Sequence, residues 1–439
     1  MIAVENKILP VIKEHKSGIP VGITSVCSAN SYVIKAAILN AKKNNKILLV
    51  ESTSNQVAQF GGYTGMTPED FKNFVFETAD SLEFSTRNII LGGDHLGPNV
   101  WQSKPAAKAM ENAKELVSSY IKAGYSKIHL DVSMKCNDDG DRRIPLEPAV
   151  IAERTAILCK SAEESLTQRD RELELPVYVI GTDVPPPGGA KDEDDFIIIT
   201  APEEVEETIN LTRQSFRKYG LNDAWNRVIA IVVQPGVEFG DNNVFDYTRN
   251  KSARLKKKIE EEENFVYEAH STDYQLDDSL KKMVEDHFAI LKVGPWLTYT
   301  FREALFALVM IEKELLSTRK DVNLSNLTDV IDTSMKKNPA YWEKYYASTE
   351  EHELHIKRKF SFSDRVRYYW NDSAVKDSIR KLFLNLTDCR IPVTLISQFL
   401  PESYEAVRNG EIKNLPESLV LNRIEQVLNK YNYATMEGI

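Results

Sequence analysis

Asn88-Ile89-Ile90-Leu91-Gly92-Gly93-Asp94-His95 is an apolar run that ends abruptly in an acid and an imidazole. A short apolar run bounded by polar residues reads as a strand buried on both faces. The pattern recurs at Val21–Cys27, Ile47–Glu51, Lys127–Asp131, Val177–Asp183, Val228–Gln234, Phe265–His270 and Ile290–Lys292. Seven of these eight stretches run into a polar or acidic residue, and the last runs into a lysine. Almost every one is followed by a helix-length amphipathic segment, so strand and helix alternate eight times. That alternation predicts an α/β fold, a (β/α)8 TIM barrel. In such barrels the active site lies at the C-terminal ends of the strands, so the eight endings form one ring of candidate site residues.

The repeating pattern ends after TYTFREALFALVMIEKELL, near Ser317. Residues 1–318 are read as the barrel and residues 319–439 as a helical C-terminal extension, because AYWEKYY, SDRVRYYW and SLVLNRIEQVLNKYNYA all show spaced apolar residues. The aromatic and arginine residues of the extension either pack its helices on to the barrel or present a partner surface. Arg367 and Tyr369 are the members expected at the surface. Two loops exceed what a minimal barrel needs, Ser52–Asp70 and Asp183–Thr200. Long Gly/Pro-rich loops after barrel strands serve as lid or wall, or merely as surface.

With 439 residues, 42% of them hydrophobic, the chain has ample material for a large core. A net charge of −10 argues against nucleic acid or an anionic membrane as the main partner. The N-terminal MIAVENKILPVIKEHKSG is too polar for a signal peptide, and no apolar run approaches the ~20 residues of a membrane span. A cytoplasmic protein is expected. The four cysteines are far apart with no CxxC pair, which fits reduced thiols and excludes a thiolate zinc site.

Among the strand endings, Gly92-Gly93-Asp94-His95-Leu96-Gly97-Pro98-Asn99 is the most specific signal: two glycines permit a sharp turn that aims the acid and the imidazole into a pocket. A second imidazole, His270 in Tyr267-Glu268-Ala269-His270-Ser271-Thr272-Asp273, ends the seventh strand. With Asp183 and Gln234 ending two intervening strands, His95 and His270 make an N/O site for one divalent cation. His129 and Asp131, two apart in one strand, share a face; they are a self-satisfied buried pair or part of the site. Asp94 or Asp131 is the candidate general acid/base, and Glu51 is a catalytic, hydroxyl-binding or structural carboxylate. Lys292 raises a Schiff-base reading, but among carboxylates it fits a protonated substrate clamp better. Gly62 and Gly294 are candidates to offer backbone N–H groups to substrate, beside His129 and Asp273. No GxxxxGK[ST] sequence is present, which counts against kinase chemistry.

At these residues a resemblance becomes specific. STSNQVAQFGGYTGMTPEDF, LGGDHLGPN, SKIHLDVSM, RVIAIVVQPGVEF, VYEAHSTDY, DHFAILKVGP and FSDRVRYYW resemble the Z-type subunit family of bacterial D-tagatose-1,6-bisphosphate aldolase, long labelled tagatose-6-phosphate kinase. The shared blocks run from about Ile12 to Tyr433. The resemblance implies a class II aldolase-like barrel in galactitol, tagatose or N-acetylgalactosamine breakdown that supports a separate catalytic Y-type subunit. It also implies a divalent metal, zinc with manganese, cobalt or nickel as substitutes. By the same resemblance His95 and His270 match metal histidines, and Asp94 matches the acid that handles the substrate hydroxyl proton. Gln234 stands where those aldolases carry a further metal histidine, which weakens that ligand or passes the role to Asp183. Related members are metal-dependent 4-epimerases of ketoses, so a self-sufficient epimerase of a ketose or ketose phosphate is the alternative. Both roles share one retro-aldol step. The sequence leaves the choice between them, the sugar's phosphorylation and any homo-oligomer open.

Overall fold

The computed structural model describes residues 5–168, 173–181, 197–346 and 350–435. All eight expected strands form: β1 (Ile23–Cys27), β2 (Leu48–Thr53), β3 (Ile89–Leu96), β4 (Lys127–Leu130), β5 (Val177–Gly181), β6 (Val228–Val232), β7 (Val266–Ala269) and β8 (Ile290–Val293). Each pairs in parallel with its sequence neighbours, and β1 pairs with β8, which closes the barrel. Helices follow the strands in turn, from Ser31–Lys43 after β1 to Pro295–Leu316 after β8. The first is capped by Asn30, whose side chain accepts from Tyr32 N and Val33 N. That bond satisfies donors a helix start leaves unpaired.

Two apolar cores result. Inside the barrel, Leu49, Ile90, Val177, Val179, Ala230, Val232 and Ile290 fill the lower layers, and Ile8 and Ile12 of the short helix Ile8–Lys16 close the floor. Outside, a larger core joins the barrel's outer wall to its helices and to the extension without interruption. Its last helix, Pro416–Thr435, packs against the helices that follow β1, β7 and β8. Gly22 N donates to Thr435 O (3.0 Å) and the Tyr431 hydroxyl donates to Thr272 O (2.9 Å), so this helix takes a place in the barrel's outer ring.

The expected surface residues of the extension lie elsewhere. Tyr369 is only 3% exposed and its hydroxyl donates to Asn338 O. Arg367 is half-buried and donates to Ser363 O and Asp364 O. Trp342 and Tyr346 of AYWEKYY are also buried. The aromatic residues are enriched here because they pack the extension against the barrel, where large rings bury the most area. Among the described residues, no helix is long and apolar enough to cross a membrane.

Because Tyr431 is fully buried and bonded to β7's following loop, Tyr431→Ala is expected to cost about 3–5 kcal/mol of stability. Tyr433→Ala, two residues on but 54% exposed, should cost less than about 0.5 kcal/mol. Urea denaturation of both variants checks the placement of this helix; equal midpoints would refute it.

Candidate active site

The strand register builds the site. Glu51 of β2 pairs with Gly92 of β3, which pairs with Lys127 of β4, so three neighbouring strands meet in one layer. A Cβ on Gly92 would lie 2.6 Å from Glu51 Cγ, so glycine there makes room for the glutamate inside the barrel. Gly93 does the same for the Tyr120 ring, at 2.7 Å. The two glycines thus stay within β3 and serve side-chain packing; the turn comes later. It comes at His95, whose φ is +49°, together with a shift of the β3–β4 register between Gly93 and Leu96. Gly97 completes the bend, since a Cβ there would meet Asp131 O at 1.6 Å. A non-glycine residue with positive φ is strained, and such bulges re-aim side chains at active sites.

Four charged groups fill the barrel below the mouth. Lys127 Nζ lies 2.5 Å from Glu51 Oε1 and 2.6 Å from Glu268 Oε2, ion pairs without hydrogen-bond geometry. Lys292 contacts the other Glu51 oxygen, Asp94 Oδ1 at 2.8 Å and Glu268 Oε1 at 3.6 Å. Burial alone would lower the Lys292 ammonium, but Asp94, Cys27, Glu51 and Glu268 hold it well above the usual lysine range. A lysine paired with three carboxylates fits a protonated clamp better than an amine nucleophile.

Three imidazoles stand above this layer, with ring centroids 4.9 to 5.2 Å apart among His95, His129 and His270. His129 Nδ1 is 2.8 Å from Asp94 Oδ1, His95 Nδ1 is 2.8 Å from Asp131 Oδ2, and His270 Nε2 is 2.9 Å from Glu268 Oε1. Burial, against the Glu268 bond and with Lys292's charge, pushes His270 down to about 3, so its ring is neutral near pH 7. His95 is pushed the other way: burial opposes its charge, but Asp94 and Asp131 raise it. For Asp94, burial is overridden by His95, Lys292, His129 and His270, which hold the carboxyl well below the usual range.

A cavity of about 670 Å³ opens over the cluster. Of the cluster, Asp94, His95, His270 and Lys292 line it, whereas Glu51, Lys127, His129, Asp131 and Glu268 stand behind them. Asp273 and Gly294 also line the cavity, but Asp273 Oδ1 accepts from Gly294 N (3.0 Å) and Trp296 N (2.8 Å), so Gly294 spends its N–H within the protein. Gly62, at φ +53°, packs on Gln56 O and is not on the cavity wall. Gln234, weighed above as a ligand, caps a turn instead, with Oε1 accepting from Gly236 N and Val237 N. Asp183 and most of its loop lie outside the described residues.

The donor atoms that converge belong to Asp94, His129, Glu268 and His270, all within 4.8 Å of one another and all buried. This set fits a divalent cation. His129 Nε2 is buried without a hydrogen-bond partner, His270 is uncharged, and two imidazoles with two carboxylates are a donor set for zinc or a similar ion. Glu268 and Lys127 were not among the residues singled out from sequence. Their signal is a charged residue two positions before a histidine in a strand, Glu268/His270 and Lys127/His129, which strand alternation puts on one inward face.

A family model described as D-tagatose-1,6-bisphosphate aldolase subunit GatZ/KbaZ-like matches residues 8–436. A crystal structure of a probable tagatose 6 phosphate kinase from Sinorhizobium meliloti 1021 is 43% identical, covers 94% of this chain and 100% of its own, and superposes with a TM-score of 0.85. A fructose-bisphosphate aldolase from Campylobacter jejuni is 13% identical over 86% of this chain and 90% of its own, with a TM-score of 0.44.

If the converging set holds the cation, His129→Ala and His270→Ala should each lower bound zinc at least about 10-fold after matched dialysis. His352→Ala, on the exposed face of the extension, should retain the unaltered protein's content. Elemental analysis reads all three, and equal zinc in the set would eliminate the site.

Proposed function

The chain belongs to the GatZ/KbaZ-like family of D-tagatose-1,6-bisphosphate aldolase subunits, and on that premise we propose that it carries a metal-dependent retro-aldol site for a ketose or ketose phosphate. The observation that carries the reading is the convergence of Asp94, His129, Glu268 and His270 beneath a cavity that Asp94, His95, His270 and Lys292 line. Asp94, His129, Glu268 and His270 would hold a divalent cation, zinc by its donors, which would supply Lewis-acid polarisation of a ketose carbonyl.

The chain's own residues do the rest. Asp94, kept ionised by the cations around it, accepts the C4 hydroxyl proton. The O–H pair becomes the new C4 carbonyl, the C3–C4 bond breaks, and its electrons pass through C3 to the C2 oxygen. Lys292, protonated and on the cavity wall, faces that growing negative charge. His95 Nε2, 3.5 Å from Asp94 Oδ2, shares the transferred proton's charge, and Asp131 holds the ring by its other nitrogen. Glu51 and Glu268 hold Lys292 from below, and Lys127 pairs with both glutamates in turn.

Release of the aldehyde gives an aldolase; its rotation and re-addition at C4 give an epimerase. Retention of the aldehyde in the cavity long enough to rotate would give the epimer, so 4-epimerisation stays as a second reading. The family's description as a subunit favours a further role, support of a separate Y-type catalytic chain in tagatose breakdown.

Purified protein with zinc and tagatose 1,6-bisphosphate should by itself form triose phosphates or the C4 epimer. Asp94→Asn should lower that turnover about 10²–10⁴-fold, as loss of a general base does. If the chain alone gives neither product and only raises the turnover of a Y-type aldolase, the supporting role replaces the catalytic one.

A further inference from the structure

The cavity has a second wall that the barrel does not supply. Arg367 and Tyr368 of the extension, and Lys376 and Arg380 from the helix Ser373–Thr387, all line it. Lys376, Ile379, Arg380 and Phe383 recur at helical spacing, so one face of that helix overlooks the cavity with its two cations nearest the helix start. Arg367 sits deeper. Its guanidinium is fixed by Ser363 O, Asp364 O (3.1 Å) and the Tyr368 hydroxyl (3.2 Å), all neutral acceptors. Among the described residues neither Arg367 nor Lys376 has an ion-pair partner, and Arg380 pairs only with the exposed Asp377, an interaction worth little in water. Tyr368 is in turn held between Tyr341, stacked at 4.8 Å, and Tyr63 of the loop after β2, edge-on at 4.7 Å.

This wall is a concentration of positive charge on a protein of net charge −10. The nearest acids, Asp364 and Asp273, act on the Arg367 guanidinium from beyond contact distance, so its fork stays open to an oxyanion with matching geometry. None of its hydrogen bonds is to the Asp94–His95–His270 cluster. We infer that Arg367, assisted by Lys376 and Arg380, forms a subsite for a phosphate monoester on the end of the substrate away from the reacting carbons. The inference rests on the ketose reading of the cavity and extends it. The extension then determines specificity as well as completing the fold: the barrel supplies bond cleavage, and the extension reads the phosphate.

Calorimetric titration of the zinc-loaded protein with tagatose 6-phosphate, tagatose and inorganic phosphate tests it. Arg367→Gln, and separately the exposed double variant Lys376→Ala/Arg380→Ala, should weaken tagatose 6-phosphate roughly 10- to 100-fold, the range for losing charge-assisted hydrogen bonds, and leave tagatose affinity unchanged. Arg367→Lys should fall between, since it keeps the charge and loses the fork. Equal weakening of both sugars, or none, would overturn the subsite, as would an unaltered protein that does not prefer tagatose 6-phosphate over tagatose. Those results leave the retro-aldol reading standing. A subsite that behaves as expected in a protein that makes neither triose phosphates nor an epimer refutes the retro-aldol reading alone.

Discussion

The site depends on a layer of fully buried charge. Glu51, Lys127 and Glu268 have no exposed surface, and Lys292 has almost none. Removing such groups from water costs several kcal/mol for each ion, and only close mutual pairing offsets it. Each ammonium therefore bridges both glutamates, Lys292 reaching Asp94 as well, and each glutamate answers two ammoniums. An arrangement of this kind has no slack: breaking one contact strands a charge in the barrel. Asp94 is tied to the layer through Lys292, and His270 through Glu268, so the orientation of the cavity-lining groups is inherited from below. The layer is itself balanced, and the excess of acid lies above it, where Asp94 and Asp131 add two more buried carboxylates. The protein's response is visible in His95, which those acids draw toward its charged form, and in a donor set suited to a dication.

The barrel was legible because each strand announces itself twice, by an apolar run and by the polar residue that stops it. The eight expected strands match the observed ones to within a few residues at each end. The site was less legible, since a strand ending shows which residues are near the mouth but not which partners they choose. Of the two expected histidines only His270 is in the converging set, whose other donors are Asp94, His129 and Glu268, while His95 turns to Asp131 and Gln234 caps a turn. Gln234 has the right place in the strand order, but its carboxamide is taken by two backbone N–H groups of the turn it begins, a local competition that spacing does not reveal. Lys127 was overlooked because a lysine at a strand's start reads as solvent-facing. Only the register, which sets it beside Gly92 opposite Glu51, puts it inside.

The helical extension was legible too, but which way its aromatic residues face was not, for a different reason. Aromatic and arginine residues at helical spacing have the same composition whether they face a partner or the chain's own barrel. What decides is tertiary: Tyr63 from the loop after β2 inserts against Tyr368, and Thr298 from the helix after β8 donates to Asp364 at 2.6 Å. The barrel's loops and the extension thus share one core, and the cavity is bounded by both.

The bend at the end of β3 shows why the barrel's most specific motif needs every one of its residues. In a regular strand Asp94 and His95 would point to opposite faces. Both line the cavity, and they do so because the register shift and the positive φ of His95 turn the second residue back toward the first. The strain this stores is held by the neighbours: Asp131 binds the His95 ring from one side, and its backbone receives the bend through Asp131 N donating to Leu96 O at 3.1 Å. Gly97 is the condition for that approach, since any side chain would collide with Asp131 O. The run from Gly92 to Gly97 is therefore one device. Its first glycines admit Glu51 and Tyr120, its last lets β3 and β4 close together, and between them an acid and an imidazole that alternation would separate are delivered to the same cavity wall.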